Sequence, residues 1–326
     1  MTTKQQPIGT RFTAASTASE VIAGIDLSGK NIIITGGHRG LGLEATRVLN
    51  KAGASVTVGS RNPENAAAAL KGIEGVEISQ LDLMDSLSIK SFVARWIESG
   101  RPLHILINCA GLPAPVERVV DARGYEAQFS TNYLGHFQLS LELFPALRDA
   151  HGARIINVSS GAQRFAQMRW DDPNFTTDYS PEAAYAQSKR AVVLSAVELD
   201  RRWAEFGIRT YAVHPGVIVG TALNSAAGEE GLRAMGLIGE DGQPIIDPER
   251  GKKTIQQGAS TIVFAASSPM LAEIGGVYLK DNDISVLNDE PVPLTAQDIP
   301  SDITSASINP DSALRLWNLG TKLLQK

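Results

Sequence analysis

Asn31-Ile-Ile-Ile-Thr35 runs without a break into Gly36-Gly37-His38-Arg39-Gly40-Leu41-Gly42, and Leu41–Leu49 then carries helical periodicity. A short apolar strand, a glycine-rich turn and a helix, in that order, let backbone amides approach a pyrophosphate seated on the helix N-terminus. The spacing is Thr-Gly-x-x-x-Gly-x-Gly rather than Gly-x-Gly-x-x-Gly. Tight turns need glycine in their own right, so a purely structural turn stays open as the alternative. The same alternation continues outward. Apolar runs recur at Val56–Val58, Ile105–Ile107, Ile155–Val158 and Tyr211–Val213, with helical patterns at Ser86–Trp96 and Ala183–Trp203 between some of them. Continuous apolar strands alternating with helices predict an α/β chain, a parallel sheet covered on both faces.

Composition narrows the function classes. Hydrophobic residues make up 43% of the 326 residues and the net charge is −5, which excludes a disordered chain and a positive field drawing it to nucleic acid. Cys109 is the single cysteine, so neither an internal disulfide nor a multi-cysteine metal site is expected. The five histidines, at 38, 104, 136, 151 and 214, show no metal-ligand spacing and are expected to be structural. Met1 to Glu20 is polar, without the apolar stretch of a secretory signal, and no run approaches the ~20 apolar residues of a membrane span. A cytoplasmic protein is the expectation.

Length alone suggests about two domains, yet no boundary marks a second one. Residues 1–28 read as an arm, 29–281 as the dinucleotide-binding and catalytic domain, and 282–326 as an extension. Asp281–Asp302 holds six acidic residues, no basic ones and three prolines, which suits a solvated excursion. A last helix is signalled by Asn309 as N-cap and Pro310 in its first turn, with Leu314, Trp317 and Leu324 on the face expected to pack on the core.

The second strand ends in Ser60-Arg61, where NAD-binding sheets usually carry an acid for the ribose 2′-hydroxyl. Arg61 there and Arg39 inside the glycine turn suit a 2′-phosphate, and hence NADP. Asp82-Leu83 follows the third strand, where the Asp either accepts from adenine or caps a helix. Asn108-Cys109-Ala110-Gly111 follows the fourth, its small residues leaving room for a cofactor. Farther on, Ser180-Pro181 opens a helix bearing Tyr185 and Lys189, four residues apart and so on one face. A tyrosine with a pKa near 10 is a poor acid–base group at neutral pH, but an adjacent ammonium and the helix N-terminus favour its phenolate. Ser159-Ser160 ends the strand upstream, at the carboxyl edge where such sheets bind ligands.

Taken in order, Thr-Gly-x3-Gly-Leu-Gly (35–42), Asp82, Asn108-x-Ala-Gly, Asn132, Ser160, Tyr185-x3-Lys189 and Pro215-Gly216 resemble the short-chain dehydrogenase/reductase family, over roughly residues 25–281. Ser16 to Lys30 and Asn132-Tyr-Leu-Gly-His-Phe are similar to its retinol-dehydrogenase-like and WW-domain-oxidoreductase-like branch. The resemblance implies a single Rossmann-type doubly wound sheet and hydride transfer between NADP and a carbonyl or alcohol substrate. It implies Tyr185 as proton donor or acceptor, and Lys189 lowering its pKa and holding the nicotinamide ribose. Ser160 would lie on the substrate oxygen, and Asn132 would organise a water relay to the lysine. Cofactor contacts would come from Gly36, Arg39, Gly40, Leu41, Gly42, Arg61, Asp82, Leu83, Asn108, Ala110, Gly111, Tyr185, Lys189, Pro215, Gly216, Val217 and Thr221. Cys109 replaces the usual second asparagine and reads as a small buried residue. Thr221 stands one residue later than the common Pro-Gly-x-x-x-Thr. Phe165 to Tyr179 is inserted relative to most of the family, as a wall for the substrate pocket, and Leu223–Arg250 resembles the mobile substrate loop. A homo-oligomer pairing through the Tyr185 helix is also implied. Two other readings stay open: an epimerase or dehydratase relative, and an NADP-binding sensor or scaffold without turnover.

Overall fold

The computed structural model describes residues 4–218, 228–295 and 299–325. The strands are β1 (Asn31–Thr35), β2 (Ser55–Ser60), β3 (Glu77–Gln80), β4 (Ile105–Asn108), β5 (Arg154–Val158), β6 (Arg209–His214), β7 (Val217–Ile218), β8 (Lys252–Lys253), β9 (Val277–Lys280) and β10 (Asp283–Ile284). The helices are α1 (Ala18–Val21), α2 (Gly40–Lys51), α3 (Pro63–Ala69), α4 (Ser86–Glu98), α5 (His136–Glu142), α6 (Phe144–Arg148), α7 (Pro181–Trp203), α8 (Gly228–Ala234), α9 (Ile255–Gly258), α10 (Ser260–Ser267) and α11 (Pro310–Leu324). A π-helical stretch, Phe129–Gly135, runs straight into α5.

Eight of these strands form one sheet in the order β10-β9-β6-β5-β4-β1-β2-β3, parallel except for β10. The chain winds outward from β1 in one direction and from β4 in the other, so the switch point lies between them. Alternation along the strands divides the core. Ile32 and Ile34 face α2 and α10, whereas Ile33, Leu106 and Ile155 face α4, α5 and the far end of α7. This is the doubly wound Rossmann-type sheet with helices on both faces. Side chains fix the helix starts: Asp85 accepts from Leu87 N at α4, Ser180 from Ala183 N at α7, and Asn309 from Ser312 N at α11.

The flanking segments are bonded to this core. Gln5 exchanges hydrogen bonds with Tyr278 and donates to Ser285 O, and the Asp283 carboxylate accepts from the amides of Ile8, Gly9 and Thr10. At the other end α11 packs along α7 and the π-helical stretch, but its inner face differs from the sequence expectation. Ala313, Leu316, Gly320 and Leu323 are buried, with Trp317 and Leu324 half-buried beside them, whereas Leu314 is 40% exposed. The inner stripe is centred on the small residues 313 and 320, which let the helix approach. A Cβ on Gly320 would strike Tyr133 Oη and the Phe137 ring. Of the segment 223–250, residues 223–227 lie outside the described residues. The rest holds α8, a bridge between Ile238 and Pro244, and a short 3₁₀ turn at Pro248–Arg250. Among the described residues no helix is long and apolar enough to cross a membrane.

Candidate active site

The ends of β1 and β4 meet at the switch point, and Thr35 joins them. Its hydroxyl accepts from the amides of Cys109 (2.9 Å) and Ala110 (3.0 Å). Gly36 follows with φ +68°, a left-handed conformation that favours glycine, and an added Cβ there would lie 3.2 Å from Ala110 Cα. Gly42 passes so close to the turn that a Cβ would lie 2.5 Å from Gly36 O. Arg39, the N-cap of α2, makes no side-chain capping bond, and none of the side chains takes up the first amides of this twelve-residue helix from that position. A compact turn below uncapped helix amides fits a pyrophosphate in both shape and charge.

Ser60 is buried and its hydroxyl is spent on Asn62, donating to Asn62 O and accepting from Asn62 N. Arg39 and Arg61 are both exposed, and the Arg61 carbonyl accepts from Gln80 Nε2. Asp82 caps its own turn, with Oδ1 accepting from Met84 N, and Leu83 is buried with its carbonyl against Gly135. Asn108 turns away from the open edge: Nδ2 donates to Asn157 Oδ1 (2.8 Å) and Ser140 Oγ (3.3 Å). Burial pushes the neighbouring Cys109 thiol up to about 11, against the pull of Lys189 and Arg39, so it stays a neutral thiol.

The Tyr185 phenol faces the Ser160 side chain at the carboxyl end of β5, and that hydroxyl favours the phenolate. Ser160 Oγ also accepts from Ala162 N and so caps the 3₁₀ turn Gly161–Arg164, whose amide Gly161 N donates to His214 Nδ1 (3.0 Å). Ser159 is the structural member of the pair, its hydroxyl donating to Lys189 O. Lys189 Nζ donates to Val158 O (2.9 Å) and lies 5.7 Å from the centre of the Tyr185 ring. Burial pulls the lysine down to about 8, with Cys109 acting the other way.

The expected depression of the tyrosine pKa is absent from this structure. Burial raises it, and the Ser160 hydroxyl only partly offsets the rise. The physical reason is geometric. The lysine's nitrogen is anchored on the Val158 carbonyl rather than on the phenol, and Tyr185 is the fifth residue of α7, past the first turn where the helix dipole acts.

Asn132 sits in the middle of the π-helical stretch, where Oδ1 accepts from Leu112 N (3.2 Å) and Nδ2 donates to Ser188 Oγ (2.9 Å). Ser188 in turn donates to the Tyr185 carbonyl, tying Asn132 to α7. Such π segments concentrate at functional sites. After β6, Gly216 adopts φ +87° and Val217 enters the small β7–β8 ladder beside Pro215, while Thr221 lies outside the described residues. A cavity of about 250 Å³ opens past Gly216, lined by His214, Arg164, Lys280, Asp281 and Asp302 among others. The inserted segment reaches the loop after β4, through Tyr179 Oη to Pro115 O and Arg118 Nε to Asn174 O.

Two participants escaped sequence reasoning. Arg190, buried beside Lys189, donates to Gln163 O and Gln167 Oε1 and so holds the segment that follows Ser160. His136 joins Thr35 to Asn132. Its position four residues after Asn132 was the available signal.

Comparison with known proteins agrees with this geometry. Residues 30–231 match the family model described as short chain dehydrogenase. A Streptomyces antibioticus protein named "Probable oxidoreductase" is 40% identical, over 92% of this chain and 99% of that one. Retinol dehydrogenase 12 of Mus musculus is 30% identical, over 92% of this chain and 88% of its own. The crystal structure of an uncharacterized Mycobacterium paratuberculosis protein superposes with a TM-score of 0.70 at 27% identity, covering 97% of this chain and 98% of that one. The chain thus belongs to the short-chain dehydrogenase/reductase family, in its retinol-dehydrogenase-like branch, and is an NAD(P)-dependent oxidoreductase.

Proposed function

We propose that the chain is an NADP-dependent reductase or dehydrogenase of a small carbonyl or alcohol substrate, working through Tyr185, Lys189, Ser160 and Asn132. The observation that carries this reading is the buried Lys189 nitrogen held 5.7 Å from the centre of the Tyr185 ring, with Ser160 at the end of the adjoining strand. The nicotinamide, when bound, supplies or accepts the hydride. In the reducing direction Ser160 Oγ donates to the carbonyl oxygen and Tyr185 Oη gives it a proton. A phenol whose pKa is raised by burial holds that proton until the substrate oxygen becomes basic enough to take it. Lys189 then faces the phenolate left behind, and Asn132 braces the helix through Ser188.

Uncapped α2 amides and the turn 36–42 would hold the pyrophosphate, and Arg39 and Arg61 the 2′-phosphate. Pro215, Gly216, Val217 and Thr221 are assigned to the nicotinamide end, with Leu41, Asp82, Leu83, Ala110 and Gly111 along the cofactor, while Asn108, its side chain bonded to Asn157 and Ser140, supports the edge from behind. The intact proton machinery favours turnover over a sensor or scaffold.

Tyr185→Phe tests the reading. It should keep the fold and cofactor affinity while lowering kcat by roughly 10²–10⁴. Near-normal turnover of ketones or aldehydes by this variant would remove Tyr185 as the proton donor.

A further inference from the structure

His136 is buried, and both of its ring nitrogens are engaged. Nδ1 lies 3.1 Å from the Asn132 carbonyl oxygen and Nε2 lies 2.8 Å from Thr35 Oγ1. A carbonyl only accepts, so Nδ1 carries the hydrogen, and Nε2 is left bare to accept from Thr35. Two lone pairs of the threonine hydroxyl take the amides of Cys109 and Ala110, and its single hydrogen goes to the imidazole at 2.8 Å in preference to the Ile107 carbonyl at 3.5 Å. The arrangement depends on the π-helical turn. The backbone amide of His136 is directed to Tyr133 O, and the ring reaches back to the carbonyl of residue 132. A continuous chain results: the β1–β4 junction, Thr35, His136, Asn132, Ser188 and the carbonyl of Tyr185.

We propose that His136 is a positioning residue that couples the cofactor turn to the catalytic helix, setting the β1–β4 junction through Nε2 and Asn132 through Nδ1. The proposal rests on the catalytic reading above, because Asn132 matters only if the Tyr185 helix performs the chemistry. Direct proton transfer by His136 is not part of it: the ring is enclosed, and burial keeps it neutral at ordinary pH.

The two bonds can be separated by substitution. An asparagine amide reaches about as far as Nδ1 and serves the Asn132 carbonyl alone. A glutamine amide reaches about as far as Nε2 and serves Thr35 alone, while phenylalanine keeps the volume and removes both. The readouts are cofactor Kd by NADPH fluorescence titration, kcat on a ketone or aldehyde turned over by the unaltered chain, and Tm. Leaving a buried polar partner unpaired predicts changes of about 5- to 150-fold. His136→Phe should raise Kd and lower kcat, each within that range. His136→Asn should raise Kd while holding kcat within about threefold, and His136→Gln should do the reverse.

An unchanged Kd in His136→Phe or His136→Asn overturns the proposal, whatever the turnover. So does a fall of Kd affinity and kcat together, in step with Tm, in both single-bond variants, which a merely structural histidine would give. If the phenylalanine variant fails to fold, the asparagine and glutamine pair decides. Absence of turnover in the unaltered chain counts against the catalytic reading, while the Kd pattern still judges the Thr35 half.

Discussion

Replacing Gly42 by alanine probes the glycine turn where it is tightest. The new Cβ would lie 2.5 Å from the Gly36 carbonyl oxygen, 3.0 Å from its carbon and 3.1 Å from Gly37 Cα. Ordinary contact begins at 3.4 Å, so the turn must retreat by 3.4 − 2.5, or 0.9 Å. All three atoms are backbone, and no side-chain rotation can make the space. Overpacking a tight site costs roughly 1–3 kcal/mol, and alanine's better helix propensity offsets up to about 1 kcal/mol. Global stability should therefore fall by no more than about 3 kcal/mol. Cofactor affinity has no such compensation, because the displaced peptides are those proposed to face the pyrophosphate. A cost of 1–3 kcal/mol there weakens binding roughly 5- to 150-fold. NADPH titration by fluorescence, with a melting curve on the same sample, separates the two effects. A Gly42→Ala chain that binds NADPH as tightly as the unaltered one would refute the assignment of this turn to the pyrophosphate.

Arg39→Ala and Arg61→Ala should each weaken NADPH binding about 10- to 150-fold and leave NADH within about threefold; an equal loss for both cofactors would return the arginines to the solvated surface. His136 and His214, held by burial at about 4 and about 3 in the folded chain against 6.5 for the free side chain, should make stability full above about pH 6.5 and falling below it, as the unfolded state takes up protons first. The slope is up to about 1.4 kcal/mol per pH unit for each histidine, and NMR titration of either ring in the folded protein near 6.5 would contradict it. Leu316→Ala, in the fully buried stripe of α11, should cost about 2–5 kcal/mol, whereas Leu314→Ala on the exposed side should stay within about 0.5 kcal/mol. Equal effects would mean the helix faces are misassigned.

The legible part of this fold is the part written in local pattern. Ile32 to Ile34 and Tyr211 to Val213 are apolar because both faces of a parallel sheet are covered, and the structure buries them accordingly. Ser180-Pro181 and Asn309-Pro310 mark helix starts because capping is a local reaction between a side chain and amides two or three residues on. β10 was not legible, since a two-residue antiparallel edge is fixed by its neighbours: Lys280 and Leu279 across the ladder, and the arm that binds Asp283. The inner face of α11 was off by one position for a related reason. Leu314 is the more hydrophobic choice, but close approach to Tyr133 and Phe137 selects the small residues Ala313 and Gly320.

The candidate site divides in the same way. Tyr185, Lys189, Ser160 and Asn132 could be chosen from spacing and order, but their electrostatics depend on where each nitrogen and oxygen finds its partner. A lysine one turn from a tyrosine suggests a stabilised phenolate. Here Lys189 Nζ sits on the Val158 carbonyl, burial draws its own pKa down, and burial draws the tyrosine up. Burial thus draws each group toward its neutral form, yet at about 8 the lysine still carries its charge at neutral pH while the phenol holds its proton. Asn132 shows the complementary gap. A π turn leaves no periodic trace in seven residues, yet it frees the His136 ring to reach back to residue 132 and forward to Thr35. Residues that touch the reacting atoms are marked by their own chemistry. Those that hold them in register act through side-chain contacts between segments about 100 residues apart, as Thr35 and His136 do, and only the folded chain displays them.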